Sequence, residues 1–185
     1  MIDLTKKSLP DIIQIHGRDF SVYTDFRIWM RFCIEFQQWR NFGYKGIVDI
    51  SYLFSGDIPA FYGLEDYVGI LNFAFPVCKI PNGLSDGEQT LYYEYDGDYI
   101  YAAFMQNYGI DLMELDLHWH KFLALLKGIS GTMLNEIMGY RAYTGAKQDK
   151  PEQQYRKLKY AWTPIPDETE EEKEAEEEFN QYFDC

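Results

Sequence analysis

Three histidines, three cysteines and thirty carboxylates are the residues from which this chain could build chemistry. His118 and His120 invite a metal site. Residues two apart on a helix project about 200° from one another, however, so one ion cannot join them and a structural role is expected. His16 falls in a predicted turn and is expected to be solvated. Asp96-Gly97-Asp98 opens like a calcium loop, but its glycine comes too early and no ladder of ligands or terminal glutamate follows at the right offset. Helix capping is the better account: Asp96 is placed to accept the free N–H groups of a first turn, and Asp98 adds negative charge at the positive end of the helix dipole. Cys33, Cys78 and Cys185 are an odd set with neither metal nor redox spacing, which suits a reducing cytosol. There is no glycine-rich phosphate loop, no nucleophile elbow and no cysteine arranged with a base. Acids are spread throughout, so no two stand out as acid and base. Neither an enzyme nor a metal or other cofactor is expected.

The elements that position these residues centre on 95–127. Ile100, Ala103, Phe104 and Asn107/Tyr108 fall on one face of a predicted helix, and Gly109 supplies the left-handed residue that ends it. Ile110, Asp111 and Leu112 form a connection. A second helix places Trp119, Phe122, Leu123 and Leu126 at i, i+3, i+4 and i+7, opposite His120, Lys121, Ala124 and Lys127, and stops at Gly128. Thr132 then caps a helix with Leu134, Ile137, Met138 and Arg141 on one stripe. An arginine there is costly unless a carboxylate meets it, and Asp98 or Asp111 could do so.

Upstream, Ile12–Ile15 and Arg18–Tyr23 flank His16-Gly17 as two short strands around a tight turn, a β-hairpin over 11–23. Thr24 or Asp25 caps the next helix, where Phe26, Trp29, Met30, Cys33 and Phe36 form an apolar face beside an Arg31–Glu35 pair, and Gly43 ends it. A shorter helix is expected from about Gly46, with Ile47, Ile50, Ser51 and Phe54 on one side. Leu64, Tyr67, Val68, Leu71 and Phe75 repeat at helical spacing until Pro76. Residues 76–90 carry two turn signatures and are expected to be mobile. Pro151 opens a basic helix through Trp162.

The fold class is therefore mainly α: a compact multi-helix domain over residues 1–163 with a small N-terminal β-hairpin, then an acidic tail over 164–185. At 185 residues with 46% hydrophobic content, the chain can build a core without staples. Its aromatic share of 18% exceeds what that core can hide, which points to a protein interface. Of the net charge of −13, residues 167–185 hold −9, ten acids against one lysine. That balance disfavours nucleic acid and anionic membrane and favours a basic protein partner. The tail is too charged to bury much, and is expected to be a solvated helix or disordered. With no signal-peptide pattern and no run long enough to span a bilayer, a soluble intracellular protein is expected.

Several runs together resemble the phage gene-product-fifteen family, whose members are encoded beside the tape-measure gene of siphophages. They are Thr24-Asp25-Phe26-Arg27 with Trp29 and Phe32, Tyr95-Asp96, Tyr99-Ile100-Tyr101-Ala102-Ala103-Phe104, and Gln106-Asn107-Tyr108-Gly109-Ile110-Asp111-Leu112. Leu117-His118-Trp119, Phe122, Ala124-Leu125-Leu126, Gly128 and Ile137 to Arg141 complete the pattern, which covers roughly residues 10–145. The resemblance implies a tail assembly chaperone that coats the tape-measure protein until tail-tube subunits polymerise along it. It would self-associate, work in the host bacterial cytoplasm and be absent from the mature virion. Tyr99, Tyr101, Tyr108, His118 and Trp119 are the candidate partner-binding residues. Asp96, Asp98, Gly109, Asp111 and Arg141 are candidate structural ones. An acidic decoy that mimics DNA is the alternative from charge, although a mimic should spread its charge over the folded surface rather than gather it in one tail.

Overall fold

The computed structural model describes residues 2–41, 43, 49–76, 89–145 and 150–165. The expected loop at 76–90 and tail at 164–185 lie, but for their ends, outside the described residues. Strands β1 (Ile12–Ile15) and β2 (Arg18–Ser21) pair antiparallel, Ile12 opposite Ser21 and Ile15 opposite Arg18. Both turn residues take positive φ, His16 at 51° and Gly17 at 71°, the combination whose twist matches the flanking strands. Ile13 and Ile15 point inward, while Ile12 and Gln14 face out. So short a hairpin is stable only against other elements. Tyr23 N–H donates to Leu53 O (2.9 Å) and Ser55 N–H to Ser21 O (3.0 Å), tying β2 to the segment beyond α1.

Helix α1 (Phe26–Asn41) begins where Asp25 Oδ1 accepts the Arg27 N–H at 2.8 Å, and it buries Phe26, Trp29, Phe32 and Cys33. The expected Arg31–Glu35 pair forms, Nε to Oε1 2.7 Å. Gly43, at φ 68°, takes the left-handed turn beyond it. The helix expected from Gly46 is corrected: residues 44–48 lie outside the described residues, and the next element is one 3₁₀ turn, Ser51–Leu53. The stretch after it also differs. A 3₁₀ turn, Leu64–Tyr67, precedes α2 (Val68–Ala74), and the buried residues are Ile70, Phe73 and Ala74, with Val68 and Phe75 about half exposed. A 3₁₀ turn winds three residues rather than 3.6, so an α-helical stripe counted through it drifts in phase: Tyr67 and Leu71 still pack against the core, while Val68 and Phe75 turn partly outward.

Helices α3 (Gly97–Tyr108), α4 (Trp119–Gly128), α5 (Met133–Arg141) and α6 (Lys150–Trp162) complete the fold. Gly109 ends α3 in the left-handed conformation, φ 64°. Before α5, Asn135 reaches back so that its Oδ1 accepts from the Thr132 N–H and hydroxyl, at 3.2 and 2.8 Å. α4 packs on α1 and α3, α5 packs on α3 and α6, and β1 packs on α2. Phe122 is central, stacked on Phe26 (4.9 Å between centroids), Phe104 (5.2 Å) and Trp119 (5.5 Å). The indoles keep polar partners, Trp119 Nε1 donating to Ala74 O (2.9 Å) and Trp29 Nε1 to Tyr23 O (2.6 Å). The starts of α1 and α4 are clamped by two crossed main-chain bonds, Phe26 N–H to Leu117 O (2.9 Å) and Trp119 N–H to Thr24 O (2.7 Å). The architecture is mainly α with a small N-terminal hairpin, as the sequence predicts.

Candidate functional site

A buried, heavily bonded polar cluster sits where α3 begins and α5 and α6 end. Arg141 closes a bidentate pair with Asp96, Nη1 to Oδ2 2.6 Å and Nη2 to Oδ1 2.9 Å. Two further donations reach Thr90 O (2.9 Å) and Trp162 O (2.8 Å), and the guanidinium lies over the Tyr92 ring at 5.0 Å. This corrects two expectations. Asp96 does not cap α3 with its side chain; its Oδ2 instead accepts from the Tyr92 N–H at 2.8 Å. Neither Asp98 nor Asp111 meets Arg141: Asp98 is exposed in the first turn of α3, and Asp111 accepts from Met113 N–H and the Tyr101 hydroxyl. With both members buried and bonded to each other and to main chain, the cluster's chemistry is to hold four chain segments together.

The histidines form a second cluster, and the premise that set them apart is corrected. His118 lies outside α4 as its N-cap, in extended conformation, so the two rings come within 5.2 Å between centroids. His118 Nδ1 accepts from the His120 N–H at 3.0 Å, which leaves the proton on Nε2, donating to Pro10 O at 3.0 Å. His120, expected on the solvent face, is buried: Nε2 donates to Phe73 O at 2.9 Å, while Nδ1 has no partner. Burial pushes both imidazoles below their ordinary range. His16 is exposed, as expected of a turn residue, and also bonds Asp66 Oδ1 through Nε2 at 2.9 Å. That carboxylate also accepts from Tyr62 N–H (2.6 Å) and Gly63 N–H, and these bonds hold it below the usual range. Among the described residues no group of three or more His, Cys, Asp or Glu is placed to hold a metal ion.

The candidate partner-binding residues do not form one surface. Trp119 is fully buried and its side chain is closed to a partner, a correction that follows from its place in the Phe122 stack. His118 is committed to the cap. Tyr99 lies edge-on to Trp162 at 5.8 Å, and Tyr101 is half-buried with its hydroxyl on Asp111 Oδ2. Tyr108 is partly exposed, but its hydroxyl donates to Leu125 O at 2.8 Å and lies 2.7 Å from where a Cβ on Gly128 would be.

The open surface lies elsewhere. A cleft of about 530 Å³ runs between β1 and α2, with Ile12, Val68, Asn72, Glu65 and Pro76 among its walls. A second, of about 480 Å³, lies between α1 and residues 89–93, walled by Phe36, Arg40, Phe75 and Leu91. α6 turns Gln153, Arg156, Lys157 and Tyr160 outward. Exposed apolar residues such as Tyr62, Val68, Phe75 and Tyr160 could not be told from buried ones by type; their place in the fold separates them.

Residues 74–163 match the family described as Bacteriophage Gp15 protein. Over this stretch the chain is similar to that family. The Gp15 region runs from the last residue of α2 through α6, so it holds the Asp96–Arg141 pair, Trp119 and the basic helix. The N-terminal runs that prompted the resemblance, Thr24 to Phe32, lie outside it, and α6 lies within. No curated protein and no solved structure matches the chain.

Proposed function

We propose that the chain is a phage tail assembly chaperone that coats the tape-measure protein transiently while tail-tube subunits polymerise along it. The observation that carries this reading is the Gp15 region itself, residues 74–163. The surface is compatible with it. Partly exposed apolar residues flank two shallow clefts, and several copies, each holding an amphipathic segment weakly, would bind a long polypeptide by multivalency and still be displaced. In this reading the chain makes and breaks no covalent bond, self-associates, works in the host cytoplasm and leaves before the particle is finished. Co-expression tests it. The soluble fraction of the tape-measure protein should rise when this chain is present, and an unchanged fraction would reject the proposal.

A further inference from the structure

The outer face of α6 is a cationic, aromatic stripe in a strongly acidic protein. Gln153, Arg156, Lys157 and Tyr160 stand at i, i+3, i+4 and i+7, all exposed, with Tyr160 80% exposed. The helix carries Lys150, Arg156, Lys157 and Lys159 against Glu152, a net of +3, while the whole chain carries −13. Its other side is seated by Trp162 against Tyr99, by Tyr155 stacked on Tyr143 at 5.1 Å, and by Lys159 Nζ on Tyr143 O at 3.1 Å. That seating turns the stripe towards solvent.

We propose that this stripe is the docking surface for the chain's own acidic C-terminal segment, residues 167–185, folded back on the α6 that precedes it. Charge selects the occupant, since that segment carries ten acids against one lysine. Its last residues add three aromatic side chains, Phe179, Tyr182 and Phe183, which suit Tyr160. Reach is ample. α6 has 13 residues and so is about 20 Å long, whereas the 20 residues from 166 can extend to about 70 Å. The tether is only Thr163-Pro164-Ile165-Pro166, so the contact is intramolecular and a weak electrostatic attraction suffices. A partner bearing an acidic segment must then compete with the tail for α6. Back-folding involves the chain alone and is independent of the tape-measure reading.

The test is a nitroxide on Cys185 of the full-length chain with Cys78→Ser, read as broadening of backbone amide signals. Cys33 is buried with its thiol pushed up to about 12, so it does not compete for the label. Signals from Gln153 to Tyr160 should be lost selectively at low salt and regained at high salt, where charges are screened. They should also be retained at low salt in the Arg156→Glu/Lys157→Glu variant, whose folding is checked by its unchanged remaining spectrum. Absence of selective broadening, or broadening that survives the charge reversal, overturns the proposal. So does broadening seen only from a labelled copy onto an unlabelled one, which would make the contact one between chains.

Discussion

Arg141 and Asp96, 45 residues apart in sequence, form a bidentate pair that leaves only 3% and 1% of the two residues exposed. Two main-chain carbonyls, Thr90 O and Trp162 O, accept from the same guanidinium. The pair fixes the start of α3 against the ends of α5 and α6, and so sets the frame of the Gp15 region.

Removing one member leaves the other charge buried without its counter-ion. Arg141→Met or Asp96→Asn should each cost about 3–5 kcal/mol in urea denaturation, because the desolvation penalty persists when the attraction is gone. Arg141→Lys should recover little, since a point charge cannot span the two carboxylate oxygens and two carbonyls that the planar fork reaches. Near-wild-type stability in Arg141→Met would show that the pair does not hold these ends together.

Two glycines should respond in opposite directions. A Cβ on Gly69 would lie 2.6 Å from Gln14 O, a backbone atom of β1, so Gly69→Ala must push the hairpin off α2 despite its better helix propensity. At Gly139 on α5 nothing lies within 4 Å, and Gly139→Ala should stabilise by about 0.5–1 kcal/mol. Melting temperatures of the two variants check the contrast.

Stability should fall as pH drops below the ordinary histidine range. Burial lowers both His118 and His120 from 6.5, so the unfolded chain takes up protons there that the folded chain resists. The unfolded state then binds more protons, and stability present above 6.5 is lost on acidification. Protonation of His118 at Nδ1 would also remove the acceptor that caps α4. His118→Asn keeps a capping oxygen without a titration and should flatten this part of the profile. Asp66, lowered from 3.8 first by its Tyr62 N–H bond, acts in a separate window, its stabilisation being lost as pH falls below that value. Denaturation free energies measured between pH 8 and pH 4 should resolve the histidine step; a flat profile would contradict it.

Trp119→Ala should cost about 3–5 kcal/mol, from lost burial and the cavity left beside Phe122. Equilibrium denaturation measures it. Unchanged melting with lost partner binding would place the indole at the surface instead.

Much of this architecture was legible in the residues. Apolar spacing and punctuation by Asp25, Gly43, Gly109 and Thr132 mark the helices, and His16-Gly17 marks the hairpin. Three features were not legible, each for a physical reason. The partner of Arg141 depends on how α3 and α5 meet, which local spacing does not encode, and Asp96 resembled a cap because it does precede a helix. The 3₁₀ turn at Leu64–Tyr67 shifts the phase of α2, so of the stripe counted from Leu64, Tyr67 and Leu71 meet the core while Val68 and Phe75 are half exposed. His120 counted as polar and outward, yet its Nε2 finds Phe73 O and its ring lies against Phe73 at 4.6 Å, which lets an imidazole replace a core side chain. The surplus of aromatics did signal exposed rings, but not which ones.

The central claim is transient coating of the tape-measure protein, and its most direct test is a census of this chain by mass spectrometry in tail assembly intermediates and in purified virions. The account predicts several copies bound per tape-measure protein in the intermediates and none in the finished particle. A fixed number of copies in mature virions, or intermediates that never contain the chain, would contradict it.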